Sequence, residues 1–498
     1  MRENQVKSKL IKNILWGFGG QLVIIVLGII VPRIMITSYG SDTNGLLSTI
    51  GQIFTYMALL EAGIGQATKI ALYKPISQKD EYEFSCVVSM ATRYYNKISV
   101  LYGIGVLLLS AILPLIIKTE LTYWTVFFVV LFEGMSGVVT FLFVQTKQTI
   151  LFADGKGYVN NGVSVVNKTV SYIVKIAMAT FKVNIVLIQF VYFVLTVIKI
   201  LFYTVYFKKY YPWIDYHAGE KNAKLKDRNS FIITEIAWTI FSSTDMIVLS
   251  AFLSTKMASV YGVYNLVFMN LNTLLSTVYN GVNYVLGQTF FESKEKYIEV
   301  HDVFNSIFFG GMTTLMCIAY TLIIPFIKLY TKGVSDVNYI INLLPTLFCL
   351  VQILSWSRYV TGNLSGIAGY AKPTSKISLI EALINVVLSV VLVQKYGIIG
   401  VLLATVAALP LKVVYLTILS DRVILKRSCW ITLKIMCLNY AFFLLTVVVN
   451  QKMTLNIQNY GSFFVHGIVV SIVFFLLGAV LNYIANPKLM RFIRIIRK

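Results

Sequence analysis

The chain has 498 residues, of which 57% are hydrophobic and 13% charged, and its mean hydropathy is +0.76; this excludes an ordinary soluble domain and a disordered chain. A net charge of +22 first suggests a nucleic-acid binder, but the basic residues gather in polar segments on one side of a series of apolar runs. The pattern is that of an all-α polytopic membrane protein whose basic excess faces anionic membrane lipid, with no nucleic acid as partner.

In chain order, the basic start (Arg2, Lys7, Lys9, Lys12) runs into residues 13–35, too long for a signal-peptide core and expected to stay as an anchor. About fourteen apolar spans of roughly 20 residues each follow from the hydropathy pattern. The first six are 13–35, 43–72, 98–117, 123–145, 163–181 and 184–206; the next six are 231–252, 259–289, 304–327, 340–363, 377–394 and 398–420. The last two are 431–450 and 461–485. The predicted organisation is an N-terminal six-helix lobe at 1–210, a cytoplasmic linker at 211–229, a second six-helix lobe at 230–420, and two further helices with a basic tail at 421–498. Lys and Arg asymmetry places both termini and the linker in the cytoplasm. In the tail, Arg491, Arg494 and Lys498 share one face and Leu489, Phe492 and Ile496 another, as in an interfacial helix.

An even number of spans per lobe returns the chain to the same side, so the lobes are expected to be parallel repeats. Lys182, Ile185, Lys199 and Thr204 recur without a gap at Lys395, Ile398, Lys412 and Thr417, and the same register sets Lys168 against Glu381.

The chemistry lies in polar side chains on apolar spans. Ser164, Lys168, Ser171 and Lys175 form one helical stripe. A cation at bilayer depth costs several kcal/mol unless it faces protein or water, so the stripe reads either as a cationic cavity for an anionic cargo or as snorkelling from a tilted helix. Lys199 and Lys412 lie deep in their spans and repeat between lobes; Arg33, after Pro32, either lines a mouth or snorkels, and Lys69 and Arg358 are expected to snorkel. Glu133, Glu235, Asp245, Glu61 and Glu381 are candidates for coupling or gating, or for ion pairs with the lysines. Asn265, Asn272 and Asn283 fall on one face of the eighth span, suited to sugar hydroxyls or to holding helices together. Soluble-type motifs fail on inspection: GFGG at 17–20 lacks the third glycine of a dinucleotide loop, and ADGKGYVN at 153–160 lacks the residues of a Walker loop. The five cysteines fall in spans or cytoplasmic segments, and no Cys/His pair has zinc-ligand spacing, so neither a disulfide framework nor a metal is expected.

Four stretches carry a resemblance: NILWGFGGQLVIIVLGIIVPRIMITSYGSDTNGLL at 13–47, LLEAGIGQA at 59–67, SSTDMIVLSAFLSTKMASVYGVYN at 242–265, and GIAGYAKPTSKI at 366–377. They make the chain similar to the multidrug/oligosaccharidyl-lipid/polysaccharide (MOP) exporter superfamily, and within it to the Wzx-type polysaccharide-biosynthesis flippases of the bacterial plasma membrane. The resemblance implies two six-helix lobes around a central cavity, alternating access, and an undecaprenyl-pyrophosphate-linked oligosaccharide as cargo, such as an O-antigen, capsule or exopolysaccharide repeat unit. Lys168, Lys175, Lys199, Lys412 and Arg33 then suit the pyrophosphate, and Asn265, Asn272 and Asn283 the glycan. It implies no cofactor beyond a coupling H+ or Na+, no enzymatic activity, and polysaccharide polymerase machinery as a partner. A lipid II-type flippase and a drug or cation antiporter share the scaffold. A membrane glycan polymerase or ligase is a fourth reading, opposed by external loops too short to hold an acceptor.

Overall fold

A computed structural model describes residues 20–61, 64–219, 228–452 and 457–486. The basic start, residues 220–227 of the linker, and the basic tail lie outside them. Among the described residues all regular structure is helical. Two compact units divide the chain, Met1–Ser259 and Val260–Lys498.

The first unit begins with α1 (Gly20–Met57) and a 3-10 turn (Ala58–Glu61), then α2 (Ile64–Gln78), α3 (Glu81–Ile116) and α4 (Tyr123–Phe143). It continues through α5 (Gln145–Ala153), α6 (Gly157–Thr180), α7 (Ile185–Tyr210) and α8 (Arg228–Phe252). The helix α9 (Thr255–Glu292) starts in this unit and runs into the second, which adds α10 (Lys294–Tyr330), α11 (Leu344–Ile367) and α12 (Ala371–Ile418). A π-helical turn (Leu419–Ile424), α13 (Trp430–Asn450) and α14 (Tyr460–Ala485) complete it.

Eight helical stretches among the described residues are long and apolar enough to cross a membrane by length and composition. Lys372–Ile424 holds two of the spans predicted above, and Val23–Met57 holds parts of two, 13–35 and 43–72; each is bent at a glycine. Gly40 (φ 83°, ψ 171°) divides α1 and Gly397 (φ 58°, ψ −136°) divides α12, both in backbone regions that only glycine enters without strain. The remaining predicted spans lie on α6, α8, α9 and α11, which carry Lys168 and Lys175, Asp245, the asparagines and Arg358; these polar residues lower the mean hydropathy of their helices.

The bend at Gly40 is fastened by Asp42, a buried carboxylate that accepts hydrogen bonds from the Thr119 hydroxyl at 2.7 Å, the Glu120 N–H at 3.0 Å and the Thr255 hydroxyl. It thereby joins α1 to the α3–α4 loop and to the start of α9. Behind it, Leu46 and Ile50 of α1, Val126 and Val129 of α4, and Ile188 of α7 make one apolar core. A second core, with Leu72, Phe84, Ile150 and Tyr203, lies toward the other end of the same unit. Lipid is as apolar as these side chains, so van der Waals packing and buried hydrogen bonds, rather than water exclusion, hold such helices together. The outer faces remain apolar: Phe464, Ile468 and Leu476 of α14 are all exposed.

Candidate functional site

In the first unit, α6 and α7 form a hairpin tied by the Asn167 side chain donating to the Leu195 carbonyl at 3.1 Å. At its Lys175 end the polar stripe of α6 meets α7. Lys175 is half-buried, with its ammonium 4.1 Å from the centre of the Tyr192 ring, a cation–π contact. On α4, the Glu133 carboxylate accepts from the Gln189 amide of α7 at 2.8 Å, and its charge acts on Lys175, Tyr192 and Tyr102. Lys175 is therefore balanced by one carboxylate and one aromatic face.

The other two lysines are not balanced in this way. Lys168 is exposed on α6, and Lys199 is half-buried on α7 within electrostatic reach of it. Among the described residues neither has an ion pair. Two like charges held on neighbouring helices raise the local potential and favour an anion between them. Ser171, between Lys168 and Lys175 on the same stripe, is buried and its hydroxyl has no hydrogen-bond partner among the described residues.

Arg33 follows Pro32 on the half of α1 before Gly40 and is half-buried. Glu61 closes the 3-10 turn that interrupts the second predicted span; its Oε1 accepts from the Tyr95 hydroxyl at 3.1 Å and from the Gln145 amide. A break in a helix at membrane depth is tolerated where protein or a water-filled cavity satisfies the released backbone groups. Asp245 is buried on α8, and its charge acts on Tyr56, whose hydroxyl bonds Thr244 and the Ile240 carbonyl. Glu235 lies on the same helix, with its side chain outside the described residues.

In the second unit, Lys412 and Glu381 are brought together on the two halves of α12. Arg358 of α11 joins them, its Nη1 reaching both carboxylate oxygens of Glu381 at 2.7 and 2.8 Å, while the Lys412 ammonium lies 3.6 Å from Oε2. The expectation that Arg358 snorkels is corrected here: it is 3% exposed, because a carboxylate 2% exposed waits for it inside the unit. Two cations share one carboxylate. One turn away on α12, the Asn385 amide donates to Thr405 at 2.9 Å.

Of the asparagines on α9, Asn272 accepts from the Trp356 indole at 2.7 Å and so joins α9 to α11. Asn265 is half-buried, and the Asn283 side chain lies outside the described residues.

A further charged cluster has no counterpart in the sequence reading. Arg427 bonds Asp302 of α10 at 2.8 Å and Asp421 of the π turn at 2.8 Å, with His301 beside Asp302 and stacked on Tyr297. Burial works against the Arg427 charge, yet the two carboxylates hold its pKa above the ordinary value. No spacing announces this cluster, because its members come from separate segments that only packing unites. Among the described residues no group of His, Cys, Asp and Glu could hold a metal ion.

Neither a family profile nor any curated protein matches this sequence. Solved structures do, and they define the class of fold as that of the MOP-superfamily transporters. Lipid II flippase MurJ, in an inward closed conformation, superposes with a TM-score of 0.72 at 16% identity, over 94% of this chain and 99% of that one. An inward-facing multidrug-resistance MATE family transporter of the MOP superfamily gives 0.66 at 12% identity, covering 87% and 96%. A MOP-superfamily transporter from Pyrococcus furiosus, described as having a binding pocket of reversed polarity, gives 0.59 at 13% identity, covering 85% and 97%. At these identities the likeness establishes the fold.

Proposed function

We propose that this chain is a transporter, and specifically a flippase that carries an undecaprenyl-pyrophosphate-linked oligosaccharide across the bacterial plasma membrane by alternating access. The observation that carries the reading is the Lys168 and Lys199 pair on α6 and α7, two cations within electrostatic reach of each other and without an ion pair among the described residues. Such a pair suits a pyrophosphate, whose charge and acceptor oxygens satisfy both ammonium groups at once. Fold likeness to a lipid II flippase supports a lipid-linked cargo, since that neighbour's named substrate is itself a lipid. Lys175 stands further along the same stripe, over the Tyr192 ring and within the field of Glu133, and serves as the next contact once the cargo displaces the ring.

Glycan-lipid translocation in proteoliposomes tests this. Each charge-assisted contact is worth about 1.5–3 kcal/mol, so Lys168→Ala and Lys199→Ala are each expected to slow transport about tenfold or more at matched folded protein. Unchanged transport in both variants overturns the reading.

A second reading rests on Glu133, a carboxylate flanked by Tyr192 and Tyr102, because acid and aromatic faces together suit an organic cation. Under that reading the same vesicles take up a lipophilic cation, Glu133→Gln abolishes uptake, and the lysine variants leave it intact.

A further inference from the structure

A recess of about 330 Å³ opens at the end of the first unit where α7 leaves its apolar run. Its walls come from α3, the α4–α5 junction, the last turns of α7 and the segment 211–216. Lys147 of α5 is half-buried in it and donates to the Thr204 hydroxyl at 3.2 Å, while Thr204 in turn donates to the Ile200 carbonyl. Lys208 of α7 lines the same recess. Neither lysine has an ion pair among the described residues.

The carboxylates nearby are engaged elsewhere. Asp154 is held by Lys156 at 2.8 Å and by the Tyr211 hydroxyl at 2.6 Å, and Asp215 accepts from the His217 backbone N–H at 2.8 Å. In the recess wall, the Thr92 hydroxyl is buried and has no partner among the described residues, an orphaned donor beside two ammonium groups. Burial lowers the Lys147 pKa, and an anion in the recess would restore it.

Apolar side chains line the recess as well. Leu142 and Phe143, at the end of α4, line the recess and are also exposed on the outer surface. On α7, Phe202 and Val205 are exposed as well. A ligand seated on the lysines therefore has an apolar path leading away from its charged end, which a soluble anion does not use.

We propose that this recess binds the phosphoryl headgroup of a lipid, with Lys147, Lys208 and Thr92 on the phosphate oxygens and the tail passing over Leu142 and Phe143. The phosphoryl chemistry is common to a bilayer phospholipid and to an isoprenoid pyrophosphate; the second would make the recess a loading site for the cargo and depends on the flippase reading. The first does not depend on it.

The test is a titration of the full-length chain in detergent, read as a saturable rise in melting temperature. Farnesyl pyrophosphate is the probe, and a Lys168→Ala/Lys199→Ala background removes the site proposed for transport, so the two readings fail separately. Affinity is expected to fall at least tenfold with Lys147→Met or Lys208→Met, to persist with Lys147→Arg, and to stay level with Lys376→Ala on α12. Binding is strongest below the lowered Lys147 pKa and falls as pH rises through it. Competition by short-chain phosphatidylglycerol makes the recess a general phospholipid site, and its absence makes it selective for the isoprenoid pyrophosphate; either upholds a lipid phosphoryl site. Should Lys147→Met fail to fold, Lys208→Met decides, since Lys208 is exposed at the end of its helix. The proposal is overturned by native affinity in both Lys147→Met and Lys208→Met, by the lack of any saturable shift, or by inorganic pyrophosphate competing as well as the lipid.

Discussion

Glu381 is the buried residue on which a single substitution should tell most. Its carboxylate pairs with Arg358, which is 3% exposed where α11 packs on α12. Removing one partner of a buried pair leaves the other charged and desolvated, at a cost of about 3–5 kcal/mol. Glu381→Ala is therefore expected to lower the melting temperature of the purified protein steeply and to reduce its yield. Lys412 is 3.6 Å from the same carboxylate and more exposed, at 14%, so Lys412→Ala should cost about 1 kcal/mol or less. A double substitution Arg358→Met/Glu381→Met separates charge from shape: with both charges gone, the stability should recover most of what Glu381→Ala loses, as an apolar pair often replaces a buried ion pair. If Glu381→Ala melts at the native temperature, the pair is not a structural tie. Helical periodicity placed Glu381 on a polar face with Ser378 and Asn385, but it could not say which cation would face it. That choice depends on how α11 packs against α12, which no spacing within either helix encodes.

Glycines decide the form of two elements. The stretch from Val23 to Met57 runs as one helix, yet the backbone turns at Gly40 with φ at 83°, inside the polar segment SYGSD. Gly397 does the same between the halves of α12, at φ 58°. A Cβ in these regions costs about 1–3 kcal/mol at each position. Gly40→Ala and Gly397→Ala should each lower stability by that amount in thermal melts, while Gly51→Ala, in ordinary helix with open space around it, should be neutral or stabilising by a few tenths of a kcal/mol. A native-like melt for both bend variants would mean that the chain absorbs the strain elsewhere. Span limits at 35 and 43 and at 394 and 398 were legible in the sequence because composition changes there. The break at Ala58–Glu61 was not, because the predicted span 43–72 remains apolar through it; Glu61 alone marks it, and its partners Tyr95 and Gln145 lie in other helices.

Across the whole molecule the charge distribution makes a prediction that the fold likeness leaves open, which is the orientation in the membrane. Segments such as 207–230, with Lys208, Lys209, Lys221, Lys224, Lys226 and Arg228, are strongly basic. Those on the other side, around Thr119 and Glu120, Lys182, Ser335 and Gln458, hold one basic residue or little more. Lys and Arg resist translocation, so the first set is expected in the cytoplasm and the second outside. His217 and Ser335 are exposed, one in each set, and four of the five native cysteines (Cys86, Cys317, Cys349 and Cys429) are buried, with Cys437 exposed along α13. In a Cys437→Ser background, a membrane-impermeant maleimide applied to intact cells should label Ser335→Cys and spare His217→Cys, and permeabilisation should add the second signal. The reverse pattern would invert the chain. The recess at Lys147 and Lys208 is lined by residues next to His217, so under the flippase reading an inverted result would move the proposed phosphoryl site from the leaflet where lipid-linked precursors are assembled to the one where they are released. Under that reading orientation decides whether the recess stands at the start of the transport cycle or at its end, and the labelling experiment separates the two before any transport is measured.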